Sequence, residues 1–186
     1  MKYISIGAVL NEGTEHILDV AHGGAQFRLT GEKASLWLNG RLGFAYVFNP
    51  AQLVALEQLY KMGLVIKCDG SNAQEYRALT KCTIVPAECD HPYWFLRNTE
   101  KTVLQWLRNA GLVLSMAELV YLMDRNIPLE EKLLGSGNAQ ALVEQIYTKD
   151  TVFNNILENQ MERADARGKT VNAILSLLRK KRIVLL

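Results

Sequence analysis

The last twenty residues of the chain change from helical periodicity to an apolar run. Their apolar positions recur every three or four residues, which predicts a helix with one buried face. These positions are Val171, Ile174, Leu175 and Leu178. The opposite face carries Lys169, Asn172, Ala173 and Ser176, and the β-branched residues that follow predict a strand within 179–186. The tail is therefore predicted to be an amphipathic helix that leads into a strand.

The first thirty residues show a different pattern, in which short apolar segments alternate with turn-forming residues. The segments Tyr3–Leu10, Glu15–Val20 and Ala25–Leu29 are separated by asparagine- and glycine-containing stretches. Such segments predict three short strands.

Two helices with recognisable end signals follow these strands. The first is predicted over Glu32–Asn39, with Thr30 as N-cap and Gly40 as the residue that ends it. The second begins at the Asn49-Pro50 pair, since asparagine is a favoured N-cap and proline fits the first helical position. Gly63 is predicted to end this second helix.

After Gly63 the pattern predicts a strand over Leu64–Cys68 and a returning strand over Glu75–Val85. The proline-containing segment Pro86–Pro92 has no periodicity and marks a domain boundary. We therefore predict a β-rich domain over 1–90 and a mainly helical domain over 91–186.

The second half is predicted to be nearly all helix. Helices are expected over Glu100–Ala110, over Met116–Asn126 with Ser115 as N-cap, and over Asn138–Ala164. Gly168 is expected to separate the last of these from the tail helix.

The charge of the chain is concentrated in its tail. The net charge of all 186 residues is only +2, whereas residues 163–186 contain seven lysines and arginines and one aspartate. A local cluster of cations can attract a polyanion even when the net charge does not. The alternative is a solvated helix end whose cations interact with the helix dipole.

The order of elements in the second half resembles that of a winged-helix DNA-binding domain, which contains a helix-turn-helix. Thr99–Leu107 corresponds to the first helix, Leu114–Leu119 to the start of a serine-capped second helix, and Thr170–Leu178 with Arg179–Leu186 to a basic third helix and a strand. The chain departs from this family in the long stretch between the second and third helices, and in the lack of a second wing strand after the tail.

Residues 15–85 also resemble a winged helix. Phe27–Ala34 leads into its first helix, Leu53–Leu64 supplies the third helix, and Ile66–Ile84 supplies the wing. The exposed face of this third helix is nearly neutral, which is unfavourable for phosphate contacts. The first half is therefore similar to winged helices that bind a protein or peptide by strand addition, or is a plain scaffold.

The resemblance of the second half implies that the tail contacts double-stranded DNA. Lys169, Asn172 and Ser176 are expected to face the major groove, where asparagine and serine can bind base edges. The complete predicted nucleic-acid-binding set is Arg167, Lys169, Thr170, Asn172, Ser176, Arg179, Lys180, Lys181 and Arg182.

Other chemistry is not supported by the sequence. Gly168-Lys169-Thr170 lacks the first glycine of a phosphate-binding loop, and Cys82, Cys89 and His91 lack the paired spacing of a zinc site. No serine or cysteine has a histidine placed by an obvious motif. We therefore predict no catalytic residues, no enzyme activity, no metal and no cofactor.

The fold class predicted from these patterns is α+β, with an N-terminal winged-helix-like domain that has extra β-strands and a mainly helical winged-helix-like domain. The predicted function is DNA binding in the cytoplasm, as a transcriptional regulator or accessory factor that forms a homodimer through 138–164. No apolar segment is long enough to span a membrane. The alternative function is a protein- or peptide-binding module without nucleic acid or catalysis.

Overall fold

The computed structural model of the chain describes residues 1–12, 17–87, 95–109, 114–116, 119, 120, 123 and 164–186. The strands in these ranges are β1 (Lys2–Ser5), β2 (Ala8–Glu12), β3 (Ile17–His22), β4 (Ala25–Thr30), β5 (Ala45–Tyr46), β6 (Val65–Cys68), β7 (Thr83–Pro86), β8 (Leu114–Ser115) and β9 (Ile183–Leu185). The helices are α1 (Glu32–Arg41), α2 (Pro50–Lys61), α3 (Asn72–Thr80), α4 (Asn98–Asn109) and α5 (Ala164–Arg179). Helices and small sheets occur together, which confirms the α+β class.

Several predicted elements are confirmed. Helix α2 begins at the Asn49-Pro50 pair, where the Asn49 side chain accepts a hydrogen bond from the Ala51 backbone N–H at 2.9 Å. It ends before Gly63, whose φ of 74° is the left-handed conformation that glycine adopts readily. The tail forms a helix followed by a strand, as its periodicity predicts.

The returning strand predicted over Glu75–Val85 is wrong, because residues 72–80 form helix α3. The Ser71 side chain caps this helix by accepting a hydrogen bond from the Gln74 N–H. Tyr76 and Leu79 are buried one helical turn apart. A good N-cap and an apolar pair at helical spacing thus outweigh the apparent strand pattern, and only Thr83–Pro86 is extended.

Four predicted boundaries are also wrong. The segment Tyr3–Leu10 is divided at Gly7 into β1 and β2, which belong to different sheets. The N-cap of α1 is Gly31 instead of Thr30. Helix α1 continues through Gly40, and helix α5 continues through Gly168, since a glycine weakens a helix interior by only about 1 kcal/mol.

The described strands form three antiparallel three-stranded sheets with the orders β5-β1-β6, β2-β3-β4 and β8-β7-β9. In the first and third sheets the central strand comes earliest in the chain. Strand β1 lies between β5 and β6, and β7 lies between β8 and β9. The strand that pairs with the tail strand β9 therefore comes from before α4.

The order β-α-β-α-β occurs in the first half, and the second half has the same order apart from the helical residues Met116, Leu119, Val120 and Met123 that follow its middle strand. We call β1, α1, β5, α2 and β6 the first repeat, and β7, α4, β8, α5 and β9 the second repeat. The first repeat contains β2-β3-β4 between its first strand and first helix. The second repeat contains its long additional stretch between β8 and α5.

The turn from the last helix to the last strand is the same in both repeats. In the first, Met62, Gly63 and Leu64 donate backbone hydrogen bonds to Gln58, Tyr60 and Leu59. The next turn repeats this pattern, with Lys180, Lys181 and Arg182 donating to Ser176, Leu178 and Leu177. The middle residue of each turn has positive φ, 74° at Gly63 and 55° at Lys181.

Buried side chains also recur between the repeats. Trp37 on α1 and Trp106 on α4 are 69 residues apart and are both almost completely buried. The same spacing relates β5 to β8. The first helix of each repeat therefore buries one tryptophan ring.

Helix α2 is the one helix between β5 and β6 in the fully described range 17–87. A helix-turn-helix needs two helices at this place. Strand β6 is followed by helix α3, and the winged-helix resemblance of residues 15–85 stays a prediction.

The two repeats share a hydrophobic core. Ile4 and Ile6 of the first half belong to the same cluster as Trp106, Ile174 and Leu185 of the second half. Strand β7 precedes the predicted domain boundary and pairs with strands that follow it. The division at residue 90 stays a prediction, and the boundary residues 88–94 lie outside the described residues.

Two further predictions fall outside the described residues. The first is most of the helix predicted over Met116–Asn126, of which only Met116, Leu119, Val120 and Met123 are described, and these are helical. The second is nearly all of the helix predicted over Asn138–Ala164, together with its homodimer contact. None of the helices in the described part of the chain has the length and apolar character that a membrane span needs.

We predict that Gly40→Ala destabilises the protein. A Cβ at Gly40 would lie 2.4 Å from the Ser5 Oγ and 3.0 Å from the Ser5 backbone nitrogen, so α1 and β1 would have to separate. The expected loss in the free energy of unfolding, measured by urea denaturation, is about 2 kcal/mol. The matched control is Gly168→Ala, where a Cβ meets no atom within 4 Å, and this variant should gain about 0.5–1 kcal/mol. Equal effects of the two substitutions would contradict the close packing at Gly40.

Candidate nucleic-acid interface

Helix α5 is held by its apolar face, which packs against α4. The buried residues of α5 include Ile174, Leu177 and Leu178, and those of α4 include Val103 and Leu104. Because both helices contribute aliphatic side chains at helical spacing, the orientation of α5 about its own axis is fixed. Its opposite face is therefore presented to solvent in a defined way.

Four polar residues form a single line along this outer face. Lys169, Asn172, Ser176 and Arg179 occupy positions i, i+3, i+7 and i+10, which lie on one side of an α-helix. Lys169, Asn172 and Arg179 are exposed and Ser176 is half-buried. We call these four residues the α5 stripe. It covers about 15 Å of helix at 1.5 Å per residue.

The N-terminal part of the stripe borders a shallow groove beside the start of α4. Lys169 and Asn172 line it from α5, Thr99 and Glu100 line it from α4, and Arg97 lines it from the residue before α4. The groove has a volume of about 190 Å³. Arg97 is exposed, so the groove has a basic side chain at each of its two walls.

Glu100 is an acidic residue in this groove, and its charge is compensated. It is 1% exposed, and its Oε2 accepts hydrogen bonds from the Lys180 Nζ at 2.6 Å and the Arg97 backbone N–H at 2.9 Å. Burial raises the pKa of Glu100, but the hydrogen bonds from Lys180, Ser176 and Arg97 lower it more, so that the pKa lies below its ordinary value. The carboxylate thus joins α4 to the end of α5 without adding a negative charge to the surface.

Two of the nine predicted contact residues are buried. Thr170 is 1% exposed and Arg182 is 0% exposed. The Arg182 guanidinium lies 5.2 Å from the centroid of the Phe95 ring. A buried side chain cannot reach a nucleic acid, so Thr170 and Arg182 do not belong to the exposed surface. Ala173, predicted on the outer face, is likewise buried.

The remaining predicted residues are distributed around the ends of α5. Arg167 lies near the start of the helix, Lys180 pairs with Glu100, and Lys181 is exposed at the turn before β9. Lys181 has a φ of 55°, which costs about 1 kcal/mol or more for a residue with a Cβ. The first repeat has Gly63 at this position, so the second repeat retains a lysine where glycine fits the backbone better.

Sequence reasoning missed Arg97, Thr99 and Glu100 as residues of the groove. The packing of α4 against α5 cannot be read from local spacing. Glu100 carried one signal: it occupies the third helical position, from which a glutamate can accept the backbone N–H of the capping residue.

The two cysteines in the described part of the chain are buried in the protein interior. Cys68 and Cys82 are buried and free, and burial raises the pKa of Cys82 to about 12. Within the described ranges, no three histidine, cysteine, aspartate or glutamate side chains come together as a metal site. Cys89 and His91 lie outside these ranges.

Comparisons of the chain with protein families, curated proteins and solved structures found no match.

We predict that Glu100→Gln lowers the free energy of unfolding by about 2 kcal/mol at neutral pH, because hydrogen bonds to a charged group contribute about that amount. The folded pKa of Glu100 is lowered, so its contribution is present above the ordinary pKa of glutamate and is lost as the pH falls through the folded value. The difference between wild type and variant should therefore shrink in acid. Urea denaturation across the acidic range tests this.

The matched control for this experiment is Glu57→Gln, since the Glu57–Lys67 ion pair lies on the exposed surface of the first repeat. This variant should leave stability nearly unchanged. A difference between wild type and Glu100→Gln that stays constant into strong acid would contradict the charged hydrogen bonds at Glu100.

We also predict that Lys181→Gly stabilises the protein, because glycine adopts positive φ without strain. The expected gain is about 0.5–1 kcal/mol, since the more flexible unfolded chain offsets part of the relief. Lys181→Ala removes the same charge and keeps the Cβ, so it should give no gain. If thermal unfolding shows the same change for both variants, strain at Lys181 is not the cause.

Proposed function

We propose that this protein binds double-stranded DNA through the α5 stripe, in the manner of a recognition helix, and acts as a transcriptional regulator or accessory factor. The observation that carries the proposal is the stripe itself. Its order is lysine, asparagine, serine and arginine along one exposed helix face. A cation at each end with hydrogen-bonding side chains between them matches phosphates on both sides of a groove and base edges at its floor.

The dimensions of the stripe support a major-groove contact. The major groove is about 12 Å wide and admits an α-helix. The stripe covers about 15 Å of α5. Asn172 in its centre can form two hydrogen bonds with adenine. The Ser176 hydroxyl donates to Glu100, so its oxygen is left to accept a hydrogen bond from a base edge.

The charges next to the stripe support phosphate contacts. Arg97 stands across the groove from Lys169, and Lys181 follows the C-terminal end of α5. Together with Lys169 and Arg179 they give four exposed cations along α5 and at its two ends. The compensation of Glu100 by Lys180 leaves the surface positive.

A lysine at the strained position 181 also supports the proposal. Strained backbone conformations tend to be retained where function needs them. At the equivalent turn of the first repeat, Gly63 avoids the strain.

We predict that the affinity for random duplex DNA falls steeply with salt. Neutralisation of four phosphates by Arg97, Lys169, Arg179 and Lys181 corresponds to a log–log slope of about −3 to −4. The double variant Lys169→Ala, Arg179→Ala should reduce the slope by about 2. Fluorescence anisotropy with a labelled duplex over a range of salt concentrations measures both values.

The matched control is Lys61→Ala, Lys81→Ala, which removes two exposed cations of the first half. Its slope should equal that of the wild type. The absence of binding at low salt would refute the proposed function, and equal slopes for both double variants would place the contact away from α5.

A further inference from the structure

A row of three aromatic side chains lies along one face of the first repeat. Tyr46 and Phe48 are exposed, and Phe44 is half-buried against the core that includes residues of the second half. Phe44, Tyr46 and Phe48 alternate with Ala45 and Val47, which pack into the core of the first repeat. Tyr46 is 56% exposed and Phe48 is 83% exposed. The Tyr46 and Phe48 rings are parallel within 3° at a centroid distance of 5.9 Å. The Lys2 Nζ lies 5.3 Å from the Phe44 ring centroid and 5.0 Å from the Tyr46 ring centroid. The row is therefore an aromatic surface with a lysine at its inner end, and Phe48 at its outer end is the most exposed ring.

The backbone of this segment has an open edge. In its sheet, β5 pairs with β1 and lies at the edge of the order β5-β1-β6. Val47 N–H donates to Met1 O at 2.8 Å, and Met1 N donates to Val47 O at 2.7 Å. Hydrogen-bonded and non-hydrogen-bonded pairs alternate in antiparallel sheets. The N–H and C=O of Tyr46 therefore point away from β1, toward the open edge.

The second repeat has no counterpart of this row in its sequence. In the sequence, the positions 69 residues further along, which is the spacing that relates β5 to β8, are Val113, Ser115 and Ala117. In contrast, Trp37 has its counterpart in Trp106. Phe44 packs against the core, whereas Tyr46 and Phe48 are exposed, so these two rings are a property of that surface.

We propose that β5 pairs with β5 of a second copy of this chain, antiparallel and around a two-fold axis at Tyr46. The sequence Phe44-Ala45-Tyr46-Val47-Phe48 has the same pattern in both directions. Antiparallel pairing therefore places Phe44 opposite the Phe48 of the second copy and Tyr46 opposite its own counterpart. Cross-strand aromatic pairs of this kind stabilise sheets.

The chemistry of the edge fits a second copy better than a different protein. The two-fold axis lets the outward N–H and C=O of Tyr46 bond to the same groups of the second copy, and residues 44–48 contain no charge that would oppose itself. Pairing with a strand of a different protein would not require the aromatic and aliphatic residues of 44–48 to alternate identically in both directions. The result is one continuous six-stranded sheet in which the open edge of β5 is covered in each copy.

Sedimentation velocity of the full chain at micromolar concentrations tests this pairing. We expect a concentration-dependent dimer for the wild type. Tyr46→Glu and Tyr46→Lys should each be monomeric, because the two-fold axis places like charges directly opposite each other. An equimolar mixture of the two variants should form the dimer again.

Two further variants control for surface chemistry and folding. Tyr60→Glu changes another half-exposed tyrosine of the first repeat and should leave the dimer unchanged. Phe48→Ser alters a side chain that is mostly in solvent, so it should fold normally and raise the dimer dissociation constant at least tenfold.

A wild type that stays monomeric over the whole concentration range would overturn the proposal and leave the edge of β5 to a strand from another protein. A dimer that persists in Tyr46→Glu alone would also overturn it, since the contact would then lie elsewhere, for example in the region 138–164. If the two charged variants stay monomeric when mixed, position 46 does not lie on a two-fold axis.

Discussion

The structure depends on the pairing of a strand that comes first in each repeat with two strands that come later. Strand β7 illustrates this constraint, because it pairs with both β8 and β9. Helix α4 separates β7 from β8 in the chain, and a long stretch separates β8 from β9. The central strand cannot be removed without separating the outer two. Since α4 and α5 pack together on the second repeat, the position of α5 follows from this pairing. The outer face of α5 therefore depends on residues 83–86 as well as on its own sequence.

The turn that ends α5 transmits this constraint to the candidate site. Its backbone hydrogen bonds place Arg182 in the interior and Ile183 in register with Pro86. The last turn of the helix is then fixed, and Lys180 reaches Glu100 on α4. The α5 stripe is therefore held at its C-terminal end by a strand pair and by the Lys180–Glu100 ion pair, and along its length by apolar packing against α4. A rigid, preorganised helix face loses little entropy when it binds a ligand.

Elements with strong local signals could be predicted from the sequence. The start of α2 was predicted because Asn49 and Pro50 act within one turn, and the tail helix because its apolar period is regular. Helix α3 was predicted as a strand because an alternation of apolar and polar residues can also occur within a capped helix. Gly40 was predicted to end α1, whereas its lack of a side chain allows β1 to pack closely against this helix. The repeat could not be recognised, since the two repeats have their additional segments at different places and share few side chains beyond the buried tryptophan.

The candidate site was partly predictable for the same reason. Lys169, Asn172, Ser176 and Arg179 follow from helical spacing alone. The burial of Thr170 and Arg182 does not follow from helical spacing. It is caused by α4, which is distant in sequence, and by the turn into β9, which depends on tertiary packing. Arg97 and Glu100 line the groove because α4 packs against α5. The positions of these two helices in the chain do not show how close they lie in the structure.

Amide chemical shifts of the labelled full chain, recorded while a short random duplex is added, test the central claim most directly. The account predicts that shifts concentrate at Lys169, Asn172, Ser176 and Arg179 and at Arg97 across the groove, while the amides of α2 stay unchanged. Changes confined to α2 and β5, or no changes at low salt, would contradict the assignment of α5 as the nucleic-acid-binding helix.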